Sequence, residues 1–208
     1  MEDRRNSPSS ETEAKAARAC FDEEIRGLLR QGEGVRATRD ALRTYGPELF
    51  GFVVGAVDDR EAAGVAYADA CRRMEREIAA FRWSCPLRTW MYAIVRQQLG
   101  RHRESASRRP TASPSSFELP DPTRTISRRP ATRRAAIAAL RMRLPPEDRE
   151  LLILRLDRSL DWLDIAITTL GCDAPAIELA RESNRVRARM RALREELSRA
   201  VQADELRR

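Results

Sequence analysis

The strongest constraint on the fold is an unbroken apolar stripe near the C-terminal end of the 208-residue chain. Apolar side chains recur there at successive steps of four, three, four and four residues: Val186, Met190, Leu193, Leu197 and Val201. That spacing places them on one face of an α-helix. Because no valine- or threonine-rich run alternates with period two, the sequence predicts an all-α protein.

Other stretches carry the same helical periodicity, with capping residues at their starts. We predict helices over the ranges 13–30, 35–57, 60–80, 86–103, 135–143, 146–156 and 162–170, before the last helix, which ends near residue 203. The second is expected to bend or break at Gly46-Pro47. Asp58 and Asp59 are expected to cap the third, and Asp161 the short helix that stops at Gly171.

The segment from Phe81 to Arg96 is a short aromatic loop that leads into a helix. Pro86 suits the first helical position, with Ser84 or Cys85 as the cap. Leu87 and the apolar residues after it fall on one buried stripe, and the arginines fall off it.

Two interpretations of this segment stay open from its residues alone. The simpler one is an amphipathic helix whose aromatic residues belong to the core. The other is a single-stranded nucleic-acid site, because cations beside exposed rings suit phosphates and unstacked bases.

Composition shifts divide the chain into four parts. We predict a disordered tail over 1–12, a helical domain over 13–103, a flexible linker over 104–129 and a second helical domain over 130–206. The linker prediction depends on its serine, proline, threonine and arginine content and on its lack of an apolar period.

Charge indicates an anionic partner. The chain carries a net charge of +7, and the residues from Arg82 to Arg143 together carry about +11. The remaining residues are therefore acidic overall, so the basic charge is concentrated in the middle of the chain.

Cysteine and histidine usage excludes several functions. The four cysteines are far apart and His102 is the single histidine, so neither a zinc site nor a Ser-His-Asp hydrolase is expected. No glycine-rich phosphate loop, secretory signal or membrane-spanning run is present in the sequence. We predict a cytoplasmic protein with reduced thiols, no catalytic residues, no metal and no cofactor.

Four phrases, in order along the chain, resemble bacterial sigma factors. The first runs from Arg43 to Phe52 (RTYGPELFGF), and the second from Phe81 to Ile94 contains the phrase LRTWMYAI. The third runs from Leu144 to Arg155 (LPPEDRELLILR), and the fourth from Ser159 to Ala166 (SLDWLDIA). Their order, with no large domain between them, is similar to the small extracytoplasmic-function (ECF) type, with regions 2 and 4.

The resemblance implies two small helical domains, a region 2 bundle and a region 4 helix-turn-helix, joined by a flexible linker. It implies a non-enzymatic factor that binds core RNA polymerase through its β′ and β subunits and reads promoter DNA. A regulatory anti-sigma factor is a further implied partner, and no membrane insertion is expected.

The resemblance also implies three sets of binding residues. Those for the minus-10 promoter element are Arg82, Trp83, Ser84, Cys85, Arg88 and Arg96. Those for the minus-35 element are Arg185, Arg187, Ala188, Arg189 and Arg191. Those for core polymerase are Asp69, Arg72, Arg73 and Arg76.

Two features depart from the family pattern. Ala62-Ala63-Gly64-Val65 replaces an acidic run on the helix that the resemblance assigns to polymerase binding, and residues 172–185 are inserted between Gly171 and Val186. The insertion either lengthens the turn of the helix-turn-helix or extends the recognition helix. The alternatives to a sigma factor are a helix-turn-helix regulator that acts without polymerase and a degenerate sigma-like interaction protein. An RNA-binding module is disfavoured because no sheet platform is predicted.

Overall fold

The structure is a computed structural model that describes the backbone of residues 8–57, 59–108, 141 and 143–205. Side chains are described for 12–57, 59–105, 141 and 143–199. The described residues form seven α-helices: α1 (Pro8–Arg30), α2 (Gly34–Ala56), α3 (Arg60–Glu77), α4 (Leu87–Arg108), α5 (Pro146–Leu152), α6 (Trp162–Leu170) and α7 (Ala176–Glu205). They include no strand, which confirms the all-α prediction.

The first two helices are more continuous than predicted. α1 already begins at Pro8, so residues 8–12 of the predicted disordered tail are helical, and residues 1–7 lie outside the described part. α2 passes through Pro47 without a break, so the expected break at Gly46-Pro47 is wrong. Beyond the proline, Leu49 and Phe52 are fully buried, and that packing outweighs the lost backbone hydrogen bond.

The face of α3 that packs against α2 and α4 carries mostly small side chains, which allows a close approach. Ala63, Ala66 and Ala70 line that face with Met74. The Asp59 carboxylate accepts a hydrogen bond from the Glu61 amide at 2.8 Å, which confirms it as the cap; Asp58 lies outside the described residues. α3 ends at residue 77, and a 3₁₀ turn, Ile78–Ala80, completes the predicted helix.

The start of α4 is capped from another helix. The Leu87 amide donates to the carboxylate of Asp22 on α1 at 3.2 Å. Neither Ser84 nor Cys85 is therefore the cap, and helix α4 begins one residue after Pro86. It extends to Arg108, so residues 104–108 of the predicted linker are helical and 109–129 lie outside the described part.

In the C-terminal part, α5 continues as a π-helical turn, Ile153–Asp157, so the predicted helix to residue 156 is confirmed. The predicted helix over 135–143 lies outside the described residues except for 141 and 143. α6 begins after Asp161 and ends at Gly171, whose φ of +97° suits glycine; the Asp161 side chain makes no capping bond. α7 packs on α6 through the buried Val186, Met190 and Leu193.

Residues 143–205 pack against residues 12–105 along a surface that we call the seam, where α6 lies on α4 and α5 lies on α2. Two glycines of α2 allow the close approach. A Cβ at Gly55 would lie 2.9 Å from Cδ1 of Ile153, and one at Gly51 would lie 2.6 Å from Nη2 of Arg158. Both parts contribute to one continuous apolar core. None of the helices in the described part is long and apolar enough to cross a membrane.

Candidate nucleic-acid interface

The loop before α4 is held by stacked aromatic rings. Phe81 lies 4.9 Å from both Trp83 and Trp90, centroid to centroid, and stacks on Trp90. The Arg26 guanidinium lies 4.5 Å from the Trp83 ring. Trp83 has a φ of +61°, which is costly for a bulky residue and is maintained by this packing. Arg82 remains exposed. The loop therefore presents a half-buried indole beside an exposed cationic side chain.

Cys85, next in the predicted minus-10 set, forms a disulfide bond. Its partner is Cys172, 87 residues away in the α6–α7 turn, with the two Cα atoms 5.7 Å apart. The expectation of reduced thiols is therefore wrong for this pair, while Cys20 and Cys71 are free. The neighbouring Ser84 hydroxyl donates to the Asp173 carboxylate at 3.3 Å. Two of the predicted minus-10 residues thus contact the α6–α7 turn.

Arg88 lies inside the protein. Its Nε donates to one oxygen of Glu48 at 2.7 Å, and its Nη2 donates to the other at 3.0 Å. The same Nη2 donates to the backbone oxygen of Arg158 at 2.9 Å. Burial lowers the pKa of Arg88, but the Glu48 carboxylate outweighs burial and raises it. Arg88 is 8% exposed, so its charge is balanced within the protein.

Arg96 also points into the seam. Its Nε donates to Glu150 of α5 at 2.8 Å, and its Nη1 donates to the Thr169 hydroxyl of α6 at 2.5 Å. Arg103 donates to the other oxygen of Glu150 at 2.5 Å. Glu150 is 2% exposed and therefore needs both cations. In this arrangement Arg88 and Arg96 are turned away from solvent, and a phosphate reaches them only if the seam opens.

A second carboxylate faces α4 across the seam. The Thr89 hydroxyl donates to Asp164 of α6 at 2.9 Å. Burial raises the pKa of Asp164, and the hydrogen bond from Thr89 offsets only part of that shift. The folded protein therefore binds the Asp164 proton more tightly than the unfolded chain does. The contribution of this protonated carboxyl to the free energy of unfolding is complete at low pH. It is lost as pH rises through the folded-state pKa.

Asp164→Asn is therefore expected to stabilise the protein at pH 7, with a rise in melting temperature of about 2 °C. The amide stays neutral and keeps an oxygen for Thr89. Melting curves of both proteins between pH 7 and pH 4 measure the effect. The difference in melting temperature should shrink as pH falls. A difference of the same size at every pH would show that titration of Asp164 is not its cause.

The predicted minus-35 residues lie on one helix, α7, but differ in their surroundings. Ala188 and Arg191 are exposed, and Arg187 lies 5.8 Å from the Trp162 ring of α6. Arg185 pairs with Glu182 at 2.7 Å. Arg189 donates twice to Asp148 of α5, at 2.8 and 2.5 Å, and these bonds raise its pKa.

The insertion before Val186 extends the recognition helix. α7 begins at Ala176, so only residues 171–175 form the turn, and residues 176–185 add helix on its N-terminal side. The sequence left open a longer turn or a longer recognition helix, and the structure has the longer helix. This added segment carries Ile177 exposed, together with acidic and basic residues.

The predicted polymerase-binding residues lie on one side of α3, where two of them contact α4. Hydrogen bonds from Arg72 and His102 lower the pKa of Asp69, and the His102 ring nitrogen lies 2.8 Å from its carboxylate. Arg73 is paired with Glu77 and with Gln97 of α4, at 2.8 and 2.6 Å. Arg76 is exposed. The face is mixed in charge, with the apolar Val65 also exposed.

Comparison with known proteins adds little to this geometry. No protein-family model matches the chain, and no curated protein matches it. Among solved structures, the chain is similar to the sigma factor RpoE from Bartonella quintana, crystallised with the anti-sigma factor NepR. The two share 17% identity, the match covers 76% of this chain and 96% of that chain, and the TM-score is 0.46. A likeness this distant carries no argument about function, which has to be argued from the chain's own residues.

Sequence reasoning missed the partners that hold the candidate site. They are Asp22, Glu48, Glu150, Asp164 and Cys172. Four of these five are acidic residues on helices other than α4, far away in sequence. One signal was available for Glu150, which directly precedes an apolar run and falls on the buried side of α5. The other partners have no local signature.

Proposed function

We propose that the chain is an ECF-type sigma factor that binds core RNA polymerase and directs it to promoter DNA. The observation that carries the proposal is the order of the four sigma-like phrases, which fall on α2, on the loop and start of α4, on α5 and on α6. One such phrase is weak evidence. Four in family order, each on a helical element of the expected kind, support the assignment.

The loop before α4 supports a role in capturing an unstacked base. Trp83 offers a flat ring, Arg82 offers exposed charge, and Ser84 offers a hydroxyl beside them. Bases of single-stranded DNA stack on aromatic side chains, and nearby cations bind the backbone. Arg96 would join this surface only when the seam is open, because Glu150 across the seam pairs with it when the seam is closed. Arg88 keeps its partner Glu48 on α2 in either state.

The α6–α7 pair supports duplex binding at the minus-35 element. A short helix, a glycine turn and a longer basic helix are the parts of a helix-turn-helix, whose second helix enters the major groove. The buried Val186, Met190 and Leu193 fix which side of α7 faces α6. Arg187 and Arg191 then lie on the outer face, where phosphates or base edges are within reach.

Reconstitution with core polymerase tests the proposal. The purified chain is mixed with core RNA polymerase from the source organism and with a library of its genomic promoter fragments, and run-off transcripts are sequenced. A stable complex and initiation at a defined set of promoters are expected. Duplex binding without a polymerase complex would instead favour a helix-turn-helix regulator. Polymerase binding without initiation would favour a sigma-like interaction protein.

Trp83→Ala is expected to reduce promoter opening about tenfold while leaving the affinity for core polymerase unchanged, because base stacking on a single ring contributes on the order of 1–3 kcal/mol. Permanganate reactivity of promoter thymines measures opening, and native gel titration measures binding to core polymerase.

Trp83→Phe is the matched control, since it keeps a ring at the same position and should recover most of the opening. If Trp83→Ala weakens opening and polymerase binding equally, the indole belongs to the core and the minus-10 assignment is wrong.

A further inference from the structure

The disulfide joins two segments that the proposed function requires to act on separate parts of a promoter. Cys85 belongs to the loop before α4, and Cys172 belongs to the turn between α6 and α7. A covalent bond between them fixes the minus-10 loop against the helix-turn-helix. Ser84 and Asp173, adjacent to the two sulfurs, add a hydrogen bond at the same point.

The contacts beside the disulfide bury the groups that DNA would need. Arg88 donates to the Arg158 carbonyl, Arg96 donates to Glu150 and to Thr169, and Thr89 donates to Asp164. All four hydrogen bonds run from α4 to the C-terminal part of the chain. While the bond between Cys85 and Cys172 keeps the segments together, each of these contacts re-forms rapidly after breaking, because its partners remain close.

One of the two disulfide-bonded cysteines lines a cavity. Cys85 is 7% exposed, whereas Cys172 is only partly buried and lines a cavity of about 720 Å³ in the seam. Phe81, Trp90 and Gly171 also line this cavity. Cys172 lines this cavity and Cys85 does not, so a small thiol that enters the cavity approaches the disulfide from the Cys172 side.

Reduction then follows ordinary thiol–disulfide exchange. The thiolate of a dithiol attacks Sγ of Cys172, the bond to Cys85 breaks, and Cys85 leaves as a thiolate that takes up a proton. The second thiol of the reductant then attacks the reductant sulfur that is bonded to Sγ of Cys172. The reductant closes its own disulfide, and Cys172 leaves as a thiolate that takes up a proton. Two electrons and two protons pass to the cysteine pair, and the dithiol becomes a disulfide.

We propose that the Cys85–Cys172 disulfide is a redox latch that holds the seam closed. In the oxidised protein the minus-10 loop is bound to the α6–α7 turn, and Arg88 and Arg96 stay in internal ion pairs. Reduction by a dithiol lets α6 and α7 move away from α4, so that both DNA-binding surfaces become available. The consequence for promoter DNA rests on the proposed function, whereas the opening of the seam does not.

Hydrogen exchange tests the opening by itself. Full-length protein, oxidised or treated with dithiothreitol, is followed by mass spectrometry over residues 87–96 and 162–170. Amides on both sides of the seam should exchange at least about tenfold faster after reduction. Cys172→Ser should exchange at the fast rate with or without dithiothreitol. It leaves Cys85, a predicted minus-10 residue, in place. Equal exchange in oxidised and reduced wild-type protein would overturn the latch.

Run-off transcription tests the functional consequence. Pre-oxidised or pre-reduced protein, freed of reagent, is added to core polymerase and to the strongest fragment of the genomic promoter library. Reduced protein and Cys172→Ser should initiate at least about tenfold more often than oxidised protein. The control variant Cys20→Ser/Cys71→Ser removes the two free thiols and should keep the full redox response.

The two measurements separate failure of the latch from failure of the proposed function. A seam that opens on reduction, with transcription in neither state, would overturn the sigma-factor assignment and leave the latch standing. Equal and substantial transcription from oxidised and reduced protein would overturn the control of promoter binding by the latch and leave the sigma-factor assignment standing.

Discussion

Glu150→Ala is expected to lower the free energy of unfolding by about 3 kcal/mol, because removing one partner of a buried ion pair leaves the others uncompensated. The Glu150 carboxylate is 2% exposed and accepts from Arg96 at 2.8 Å and from Arg103 at 2.5 Å. Both arginines belong to α4, and Glu150 belongs to α5, so the substitution removes ionic contacts across the seam. Alanine leaves two guanidinium groups without their anion at this position.

Urea unfolding of the oxidised full-length protein, followed by circular dichroism, measures the loss. Glu23→Ala is the matched control, since Glu23 also accepts from two arginines, Arg26 and Arg30, but on the exposed face of α1. Such exposed pairs contribute much less to stability than a buried pair does, because water screens them. If the two substitutions lower the free energy of unfolding equally, the ion pairs of Glu150 do not stabilise the seam.

Local patterns predicted the helices well. The apolar spacing near the C-terminal end corresponds to the buried face of α7, where Val186, Met190 and Leu193 are covered by the rest of the protein. The capping role of Asp59 and the stop at Gly171 were also correct, since both depend on chemistry within a few residues. The break at Pro47 was wrong because packing of the next turn outweighs the local cost of proline.

The seam could not be predicted from local patterns. It depends on contacts such as Thr89–Asp164 and Cys85–Cys172, whose partners are 75 and 87 residues apart. A pairing over that distance leaves no periodic signal in the sequence. Glycines 51 and 55, which let Arg158 and Ile153 approach α2, could not be distinguished from weak helix formers before these neighbours were known.

Because long-range contacts leave no local signal, the sequence allowed two interpretations of the α4 arginines. Their spacing places Arg88 and Arg96 off the apolar stripe, which is where a solvent-facing or DNA-facing cation would lie. It is also where a cation would lie that pairs with a carboxylate on a packed neighbour. The identity of the anion, Glu48, Glu150 or a phosphate, is a tertiary property. A stability measurement can separate the two roles at Arg88.

Arg88→Ala is expected to cost about 3 kcal/mol of unfolding free energy, because it leaves Glu48 without its bidentate partner and the Arg158 carbonyl without a donor. Urea unfolding again measures the change. Arg191→Ala is the control, since Arg191 is an exposed arginine on α7 and its loss should change stability by no more than about 0.5 kcal/mol.

A double-mutant cycle with Glu48→Ala locates the cause of that loss. If the Arg88–Glu48 pair is internal, as its 2.7 Å and 3.0 Å hydrogen bonds indicate, the coupling energy should be about 2 kcal/mol without DNA present. A phosphate-binding arginine would show no such coupling and would lose only promoter affinity. The bonds between Arg88 and Glu48 need no contact across the seam, so their coupling energy should persist after the disulfide is reduced. The bond from Arg88 to the Arg158 carbonyl should be lost if the seam opens. Arg88 is then a structural cation of the α2–α4 pair, and the minus-10 surface contracts to the exposed loop around Trp83.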